Sequence, residues 1–165
     1  MSVVKKEVFD KIEKMLGAQG FNLVAKDDTR PWGGFFVIDE NQAQDFANLY
    51  FDGIDVNNLK ISGKLSPKIL IVAPQARLSW QYHHRRAEIW QVVEGTVGIK
   101  RSTTDVEGEL KEYHPKEQVK LQQGERHRLI GLDGWGVVAE IWQHTDVSNP
   151  SDEDDIVRVQ DDFGR

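Results

Sequence analysis

The segment "QYHHRRAEIWQVVEG", residues 81–95, decides how the chain is interpreted, because it holds two adjacent histidines, two arginines and a glutamate. Neighbouring side chains on a strand point to opposite faces, and therefore Ser79, Gln81 and His83 share one face. His84 points away from that face. We predict that His83 belongs to a site and that His84 is a packing or supporting residue.

The residues that follow supply further polar groups to the same place. Four residues separate His83 from Glu88, which is enough for a tight turn. One hairpin would then bring Gln81, His83 and Glu88 together. His127 begins a predicted strand three residues after Gly124, and we expect it to reach the group from the facing wall.

An amide oxygen, two imidazoles and a carboxylate form a mixed nitrogen and oxygen ligand set. Such a set suits Zn²⁺, and it also suits Mn, Fe or Ni, because no thiolate narrows the choice. We predict a divalent metal site made by Gln81, His83, Glu88 and His127. The alternative is a polar core pocket that holds no metal.

Short apolar runs surround this segment, with Gly, Pro or polar turns between them. Many short strands at regular spacing indicate an all-β barrel or sandwich. The predicted strands are 58–62, 67–73, 78–83, 88–93, 96–101, 109–113, 117–121, 126–131 and 135–142, with a further short strand after the turn in "RPWGGFFVID".

The N-terminal part has helical periodicity. Residues 3–16 predict an amphipathic helix on the outside of the domain, ended by Gly17 or Gly20. Its apolar stripe is Val8, Phe9, Ile12, Met15 and Leu16. Residues 41–50 predict one or two helical turns, whose inward side chains would be Phe46, Leu49 and Tyr50. The acidic tail contains interleaved apolar residues, and we expect it to dock onto the domain.

Composition excludes several functions. The chain has 165 residues, a net charge of −6 and no cysteine, which rules out disulfides, thiol catalysis and cysteine metal ligands. Without a long basic run there is no case for nucleic acid as a partner. No apolar run reaches transmembrane length, and we expect no membrane partner. The N-terminus is not a signal peptide, and a cytoplasmic location is expected.

Most of the remaining charged and aromatic residues are predicted to have structural roles. The cations Lys68, Arg85, Arg86, Lys100, Arg128 and Arg158 are expected to lie mostly on a solvated surface. The five tryptophans are expected in the core, with Trp90 lining the cavity because it shares the parity of Glu88. Arg30 is expected to bind an acidic group.

The spacing resembles the two motifs of the cupin superfamily. The first motif is His-x-His, four residues, Glu, six residues and Gly, and the second is Pro-x-Gly-x-x-His. This chain has Gln81-x-His83, Glu88 and Gly95 at the first spacing and Gln122-x-Gly124-x-x-His127 at the second. Gln81 and Gln122 are the two departures in residue type.

A ligand set of Gln, His, Glu and His is typical of phosphomannose isomerases. The chain resembles the cupin domain of the type II enzymes, which is often fused to a mannose-1-phosphate guanylyltransferase. The matching segments are "RPWGGF" at 30–35, "LSWQYHHRRAEIW" at 78–90, "GERHRL" at 124–129 and "DEDDIVRVQDDFGR" at 152–165. "RRAEIW" replaces "HRAEHW", and two histidines of the family motif are therefore absent.

The resemblance implies a cupin-type antiparallel β-barrel, or jelly roll, with an added N-terminal α-helix. Residues 1–29 would be a helical extension, and residues 30–165 would be the barrel with its docked tail. A homodimer is also implied by the family.

The implied activity is a metal-dependent aldose-ketose isomerase that interconverts mannose 6-phosphate and fructose 6-phosphate. Arg158 and Lys68 would bind phosphate or stabilise the enediolate, and Glu140 is a candidate base. Two alternatives remain: a cupin module that binds a sugar or sugar nucleotide without turnover, and an iron-dependent oxidative enzyme.

Overall fold

β-strands form most of the regular structure in the computed structural model, which describes residues 2–59 and 63–164. The helices are α1 (Val3–Ala18) and α2 (Ala43–Tyr50), with short 3₁₀ turns at Glu40–Gln42 and Val56–Asn58. The strands are β1 (Leu23–Arg30), β2 (Gly33–Ile38), β3 (Lys68–Val72), β4 (Trp80–Tyr82), β5 (Arg86–Glu94), β6 (Val97–Ser102), β7 (Lys111–Tyr113), β8 (Gln118–Leu121), β9 (Arg126–Gly131), β10 (Gly136–His144) and β11 (Val157–Gln160).

The strands form two antiparallel sheets. The larger sheet has the order β1-β2-β3-β10-β5-β8, and the smaller has the order β11-β4-β9-β6-β7. The predicted all-β fold with an N-terminal helix is confirmed. Because consecutive strands such as β4 and β5 lie in different sheets, the chain crosses repeatedly between the two layers.

The central strands of the larger sheet are buried on both faces, and side-chain alternation divides their residues between two cores. Ile69 and Ile71 of β3 join the apolar cluster formed with α1 and α2. Leu70 and Val72 of the same strand join the cluster between the two sheets. This period of two is what a strand covered on both sides requires.

Helix α1 covers the outer face of the larger sheet. Ser2 caps its first turn by accepting a hydrogen bond from the Lys5 amide at 3.1 Å. Phe9 is buried against Phe36 of β2, with 5.6 Å between the ring centroids. Gly20, at a φ of 89°, takes the chain out of the helix, as expected for one of the two predicted glycines.

Helix α2 confirms the predicted turns at 41–50, but one inward residue was wrong. Phe46 and Tyr50 are buried, whereas Leu49 is 49% exposed. The buried residues recur at helical spacing and lie on one face of α2, and they are Ala43, Phe46, Ala47 and Tyr50. Leu49 lies more than a quarter turn from the middle of that face.

Two segments differ from the predicted strands. In the predicted strand 58–62, Asn58 ends a 3₁₀ turn and Leu59 lies in a turn, while 60–62 fall outside the described residues. Strand β1 was not predicted, because half of "LVAKDDTR" is charged. It is an edge strand, where charged side chains face water. The division at residue 29 stays a prediction.

The predicted hairpin that would join Gln81 to Glu88 is wrong. Both edges of β4 are occupied, since Gln81 lies opposite His127 of β9 and opposite Arg158 of β11. Both edges of β5 are also occupied, by β10 and β8. Residues 83–85 therefore link the smaller sheet to the larger one.

The C-terminal tail is tied to this link by Asp155. The Asp155 carboxylate accepts hydrogen bonds from the backbone amides of His84 and Arg85, both at 2.9 Å, and from the Ser151 hydroxyl at 2.7 Å. Strand β11 follows at once and pairs with β4. The tail is thus part of the barrel wall beside the link.

We predict that Asp155→Asn destabilises the protein by about 1–3 kcal/mol, because an amide offers one acceptor oxygen to three donors and leaves buried donors unpaired. Chemical denaturation measures the loss, and hydrogen exchange should rise across residues 149–160. Asp154→Asn is the matched control, since Asp154 is exposed and loses the same charge. Equal stability of the two variants would contradict the anchoring role.

Candidate metal and ligand site

A cavity of about 160 Å³ lies between the two sheets. Its wall combines residues from both sheets, from the link at 83–85 and from the tail. Those used below are Trp32, Lys68, Gln81, His83, Arg86, Glu88, Trp90, Glu140, Glu153 and Arg158.

Three buried side chains beside this cavity bring potential ligand atoms together. Glu88 Oε2 lies 3.5 Å from His83 Nε2, and Glu88 Oε1 lies 3.3 Å from His127 Nε2. One ligand atom from each residue lies within 4.8 Å of the other two. A cluster of this size can surround one metal ion.

The orientation of both imidazoles is set by backbone carbonyls. His83 Nδ1 lies 2.7 Å from the Asp155 carbonyl, and His127 Nδ1 lies 3.0 Å from the Glu125 carbonyl. A carbonyl can only accept, and we therefore assign the proton of each neutral ring to Nδ1. Both Nε2 atoms are then acceptors beside Glu88, and that of His83 also lies 3.5 Å from the donor Arg86 Nη2.

The two motifs are also joined directly. Gly124, at a φ of 75°, turns the chain before β9, and its amide donates to the His83 carbonyl at 2.9 Å. This bond holds the turn that leads to His127 against the link that carries His83.

The arrangement fits a bound cation. Among the described residues, Glu88 Oε1 and His127 Nε2 are buried without a hydrogen-bond partner. An imidazole lone pair and a carboxylate oxygen are both acceptors, and neither can satisfy the other. A divalent ion held by these acceptors would satisfy both, with the carbonyls at Nδ1 supporting the ligand geometry.

Gln81 reaches the same cavity from β4. Its backbone lies opposite His127, and its side-chain oxygen accepts a hydrogen bond from the Ser79 hydroxyl at 2.6 Å. Since an amide oxygen has two lone pairs, one remains for a ligand. The assignment of Gln81 as a metal ligand stays a prediction.

Arg86 contributes a buried positive charge beside Glu88. Its Nε donates to Glu88 Oε2 at 3.0 Å, and its guanidinium stacks 3.9 Å from the ring centroid of Trp142. Burial by itself would raise the pKa of Glu88, but its contacts with the two histidines and the charge of the adjacent Arg86 guanidinium hold it well below the ordinary value. Burial lowers the pKa of His83. Glu88 is therefore ionised in this site.

Glu140 is a second carboxyl group that lines the cavity. It accepts hydrogen bonds from the indole nitrogens of Trp90 at 3.0 Å and of Trp142 at 3.3 Å. Burial, together with the nearby charge of Glu88, raises the pKa of Glu140 to about 7. The pKa values of the two carboxyl groups thus lie on opposite sides of the ordinary value, since Glu88 contacts Arg86 and two histidines whereas Glu140 receives the indole donors.

The predicted phosphate-binding cations also line the cavity. Lys68 binds Glu153 of the tail, with 3.0 and 3.1 Å from Nζ to the two carboxylate oxygens. Arg158 is exposed, and its backbone lies opposite Gln81. Arg30 binds Asp27 at 2.9 Å, in line with its predicted contact with an acidic group.

The residues that replace the two family histidines do not line the cavity. Arg85 donates to the Asn149 side chain and to the Pro150 carbonyl, both at 2.8 Å, and so fastens the tail. Ile89 packs in the apolar cluster with the helices. His84 is exposed, on the opposite side of the chain from buried His83.

Several residues of the site were missed by sequence reasoning. Arg86 was grouped with surface cations but is only 6% exposed, and Arg128 is fully buried. Trp32 was placed in the core but lines the cavity, and Glu153 had no assigned role. The sequence did contain a signal for Arg86, because this residue matches the arginine of the family motif "HRAEHW". No such signal exists for Glu153, because its role depends on where the tail docks.

Two bacterial proteins are similar to this chain over most of its length. It is 28% identical over 136 residues to the mannose-1-phosphate guanylyltransferase ManC of Salmonella typhimurium, an alignment of 82% of this chain and 22% of ManC. It is 29% identical to the xanthan biosynthesis protein XanB of Xanthomonas campestris, over 82% of this chain and 23% of XanB. The chain therefore spans less than a quarter of the length of these relatives.

A solved structure supports the fold. The capsular polysaccharide assembling protein CapF from Staphylococcus aureus superposes with a TM-score of 0.54 and 17% identity, covering 81% of this chain and 33% of CapF. At this identity the likeness concerns the fold. Within the described residues, no helix has the length and apolar character needed to cross a bilayer.

The decisive comparison is with a protein family. Residues 47–161, more than two thirds of the chain, match the sequence model of the family described as mannose-6-phosphate isomerase C-terminal. The matched range contains both motifs, the link at 83–85 and strand β11. The chain belongs to the mannose-6-phosphate isomerase C-terminal family and has the cupin fold.

Proposed function

We propose that this domain is a metal-dependent sugar-phosphate isomerase that interconverts mannose 6-phosphate and fructose 6-phosphate. The observation that carries the proposal is the convergence of unpartnered acceptors on Glu88 and His127 beside a cavity that also contains the carboxyl group of Glu140. Family membership supports the class of reaction.

Gln81, His83, Glu88 and His127 would hold the ion. Their nitrogen and oxygen donors favour Zn²⁺ and also accommodate Mn, Fe or Ni. A divalent ion bound there supplies Lewis acidity, which polarises a sugar's carbonyl and hydroxyl oxygens. Arg86, by pairing with Glu88 Oε2, leaves Oε1 on the side of His127 for the ion.

Glu140 would move the proton. In the direction from mannose to fructose, its carboxylate takes the proton from C2 of the open-chain aldose and returns one to C1. The hydroxyl proton passes from O2 to O1, and the carbonyl thereby moves from C1 to C2. A base with a pKa near the working pH can perform both halves of this transfer. The raised pKa of Glu140, about 7, suits that role.

Cations of the cavity would bind the phosphate. Lys68 and Arg158 line the same cavity as the proposed metal ligands, and a phosphate dianion is held well by a lysine point charge and an arginine fork. The absence of the two family histidines does not argue against turnover, because Arg85 and Ile89 lie outside the cavity lining.

The first prediction concerns the metal ligands. Isomerase activity should fall by at least about 1000-fold in each of His83→Ala, Glu88→Ala and His127→Ala. Each variant would lose the metal ion that stabilises the negative charge developing on the sugar oxygens in the transition state. Formation of fructose 6-phosphate is measured with Zn²⁺, Mn²⁺, Fe²⁺ and Ni²⁺ in turn, and bound metal is measured by elemental analysis.

His84→Ala is the matched control for these variants, because His84 is exposed and should retain metal and activity. Full turnover in His127→Ala would contradict the metal mechanism. Tight sugar binding without turnover under any of the four metals would favour the binding-module alternative, and oxygen uptake would favour the oxidative one.

The second prediction concerns the base. Glu140→Gln should lower kcat by about 100- to 10,000-fold, the usual contribution of a positioned general base. Metal content should stay as in the native protein, because Glu140 is not among the clustered ligands. Native activity should rise with pH as Glu140 loses its proton, with a midpoint at or below about 7, since a bound cation lowers a neighbouring carboxyl pKa. Undiminished kcat would exclude Glu140 as the base.

The third prediction concerns Glu153. The cavity of about 160 Å³ is small beside the 300–1,000 Å³ range that is common for ligand pockets. In its wall the ammonium group of Lys68 is held in an ion pair by the carboxylate of Glu153. Glu153→Gln should free Lys68 and lower the KM for mannose 6-phosphate by about threefold to tenfold, with kcat little changed. Asp154→Asn controls for the loss of one acidic charge in the tail. An equal effect in both variants would mean that only net charge matters.

A further inference from the structure

Buried polar atoms without a hydrogen-bond partner point to a second ligand contact. Among the described residues three such side-chain atoms occur. Two of them, Glu88 Oε1 and His127 Nε2, face the candidate metal position. The third is Nε1 of Trp32, and the Trp32 residue is part of the wall of the same cavity. Buried polar groups in native proteins are almost always satisfied, and each exception needs an explanation.

Trp32 is well suited to contact a ligand. Its side chain is only 4% exposed, which removes bulk water as a ready partner for the indole N–H. Trp90, the other tryptophan that lines the cavity, already donates its N–H to Glu140. Of the two tryptophans that line the cavity, Trp32 is thus the one whose indole N–H has no hydrogen-bond partner.

The position of Trp32 is fixed by its surroundings. Its carbonyl accepts a hydrogen bond from the Ala73 amide at 2.8 Å. The following residue, Gly33, has a φ of 142°, and a Cβ there would overlap the Ile71 carbonyl. A Cβ at Gly34 would overlap the Asp27 carbonyl. The two residues after Trp32 must therefore be glycine for the chain to lie this close to β1 and β3, and the backbone at Trp32 is fixed before any ligand arrives.

We propose that the Trp32 Nε1–H is a positioning and specificity group, which donates a hydrogen bond to an oxygen of the bound sugar phosphate. The class of ligand rests on the proposed function, whereas the contact rests on the unpartnered indole. An indole N–H only donates, and it therefore selects an acceptor. Lys68 and Arg158 line the same cavity, and an acceptor that carries negative charge would be favoured.

The acceptor is either a phosphate oxygen or a sugar hydroxyl oxygen, and ligand choice separates the two. If phosphate is the acceptor, inorganic phosphate and mannose 6-phosphate both engage the indole, and mannose does not. If a hydroxyl is the acceptor, mannose and mannose 6-phosphate engage it, and inorganic phosphate does not.

The direct test is nuclear magnetic resonance of the full chain loaded with Zn²⁺ and labelled with ¹⁵N-tryptophan. The chain has five tryptophans, and the indole signal that disappears in Trp32→Phe identifies Trp32. We expect that signal to move when mannose 6-phosphate is added. If Trp32→Phe does not fold, assignment of the native signal through its backbone gives the same measurement.

Binding measurements give a second readout. Trp32→Phe keeps an aromatic ring but loses the donor, and it should weaken mannose 6-phosphate binding by about 3- to 30-fold, as expected for one hydrogen bond. Trp135→Phe is the matched control, because Trp135 does not line this cavity and should leave affinity unchanged. Zn²⁺ content should be the same in both variants.

The outcomes separate this proposal from the isomerase proposal. A Trp32 signal that moves in a protein without turnover supports the contact and refutes the activity. Turnover with an unmoved signal and native affinity in Trp32→Phe overturns the contact and leaves the activity standing. A signal that no ligand moves overturns the contact in every case.

Discussion

The two-sided attachment of Asp155 is the interaction on which the site depends. Its carboxylate holds the backbone of His84 and Arg85, and its carbonyl accepts from His83 Nδ1. One tail residue therefore fixes both the path of the link between the sheets and the orientation of a candidate ligand. Strand β11 follows directly and brings Arg158 opposite Gln81. Through these contacts the tail forms part of the cavity wall.

Strand β5 shows how one element supports both the fold and the site. Ile89 faces the helices in one apolar core, whereas Glu88 and Trp90 face the cavity. Because both faces are buried, a register shift of one residue would place a carboxylate in the apolar core. The same packing that stabilises the larger sheet therefore holds Glu88 beside the two histidines.

The cavity concentrates buried charge, which has a consequence for function. Glu88 is surrounded by Arg86 and two histidines and stays ionised, whereas the pKa of Glu140 is raised to about 7. Buried charges that lack full compensation are costly for stability, and perturbed pKa values cluster at functional sites. The proposed isomerisation needs one carboxylate to hold a cation and a second carboxyl group to carry a proton, and the pKa values of Glu88 and Glu140 suit these two roles.

The sequence by itself determined the all-β class, helix α1, most strands and the motif spacing that singles out His83, Glu88 and His127. These features follow from local periodicity and turn residues, which short segments encode. Tertiary structure alone decided that β4 and β5 lie in different sheets, that Arg86 is buried against Glu88, and that Trp32 and Glu153 line the cavity. Each of these depends on contacts between segments far apart in the chain, and such contacts leave no periodic trace in the residues that make them.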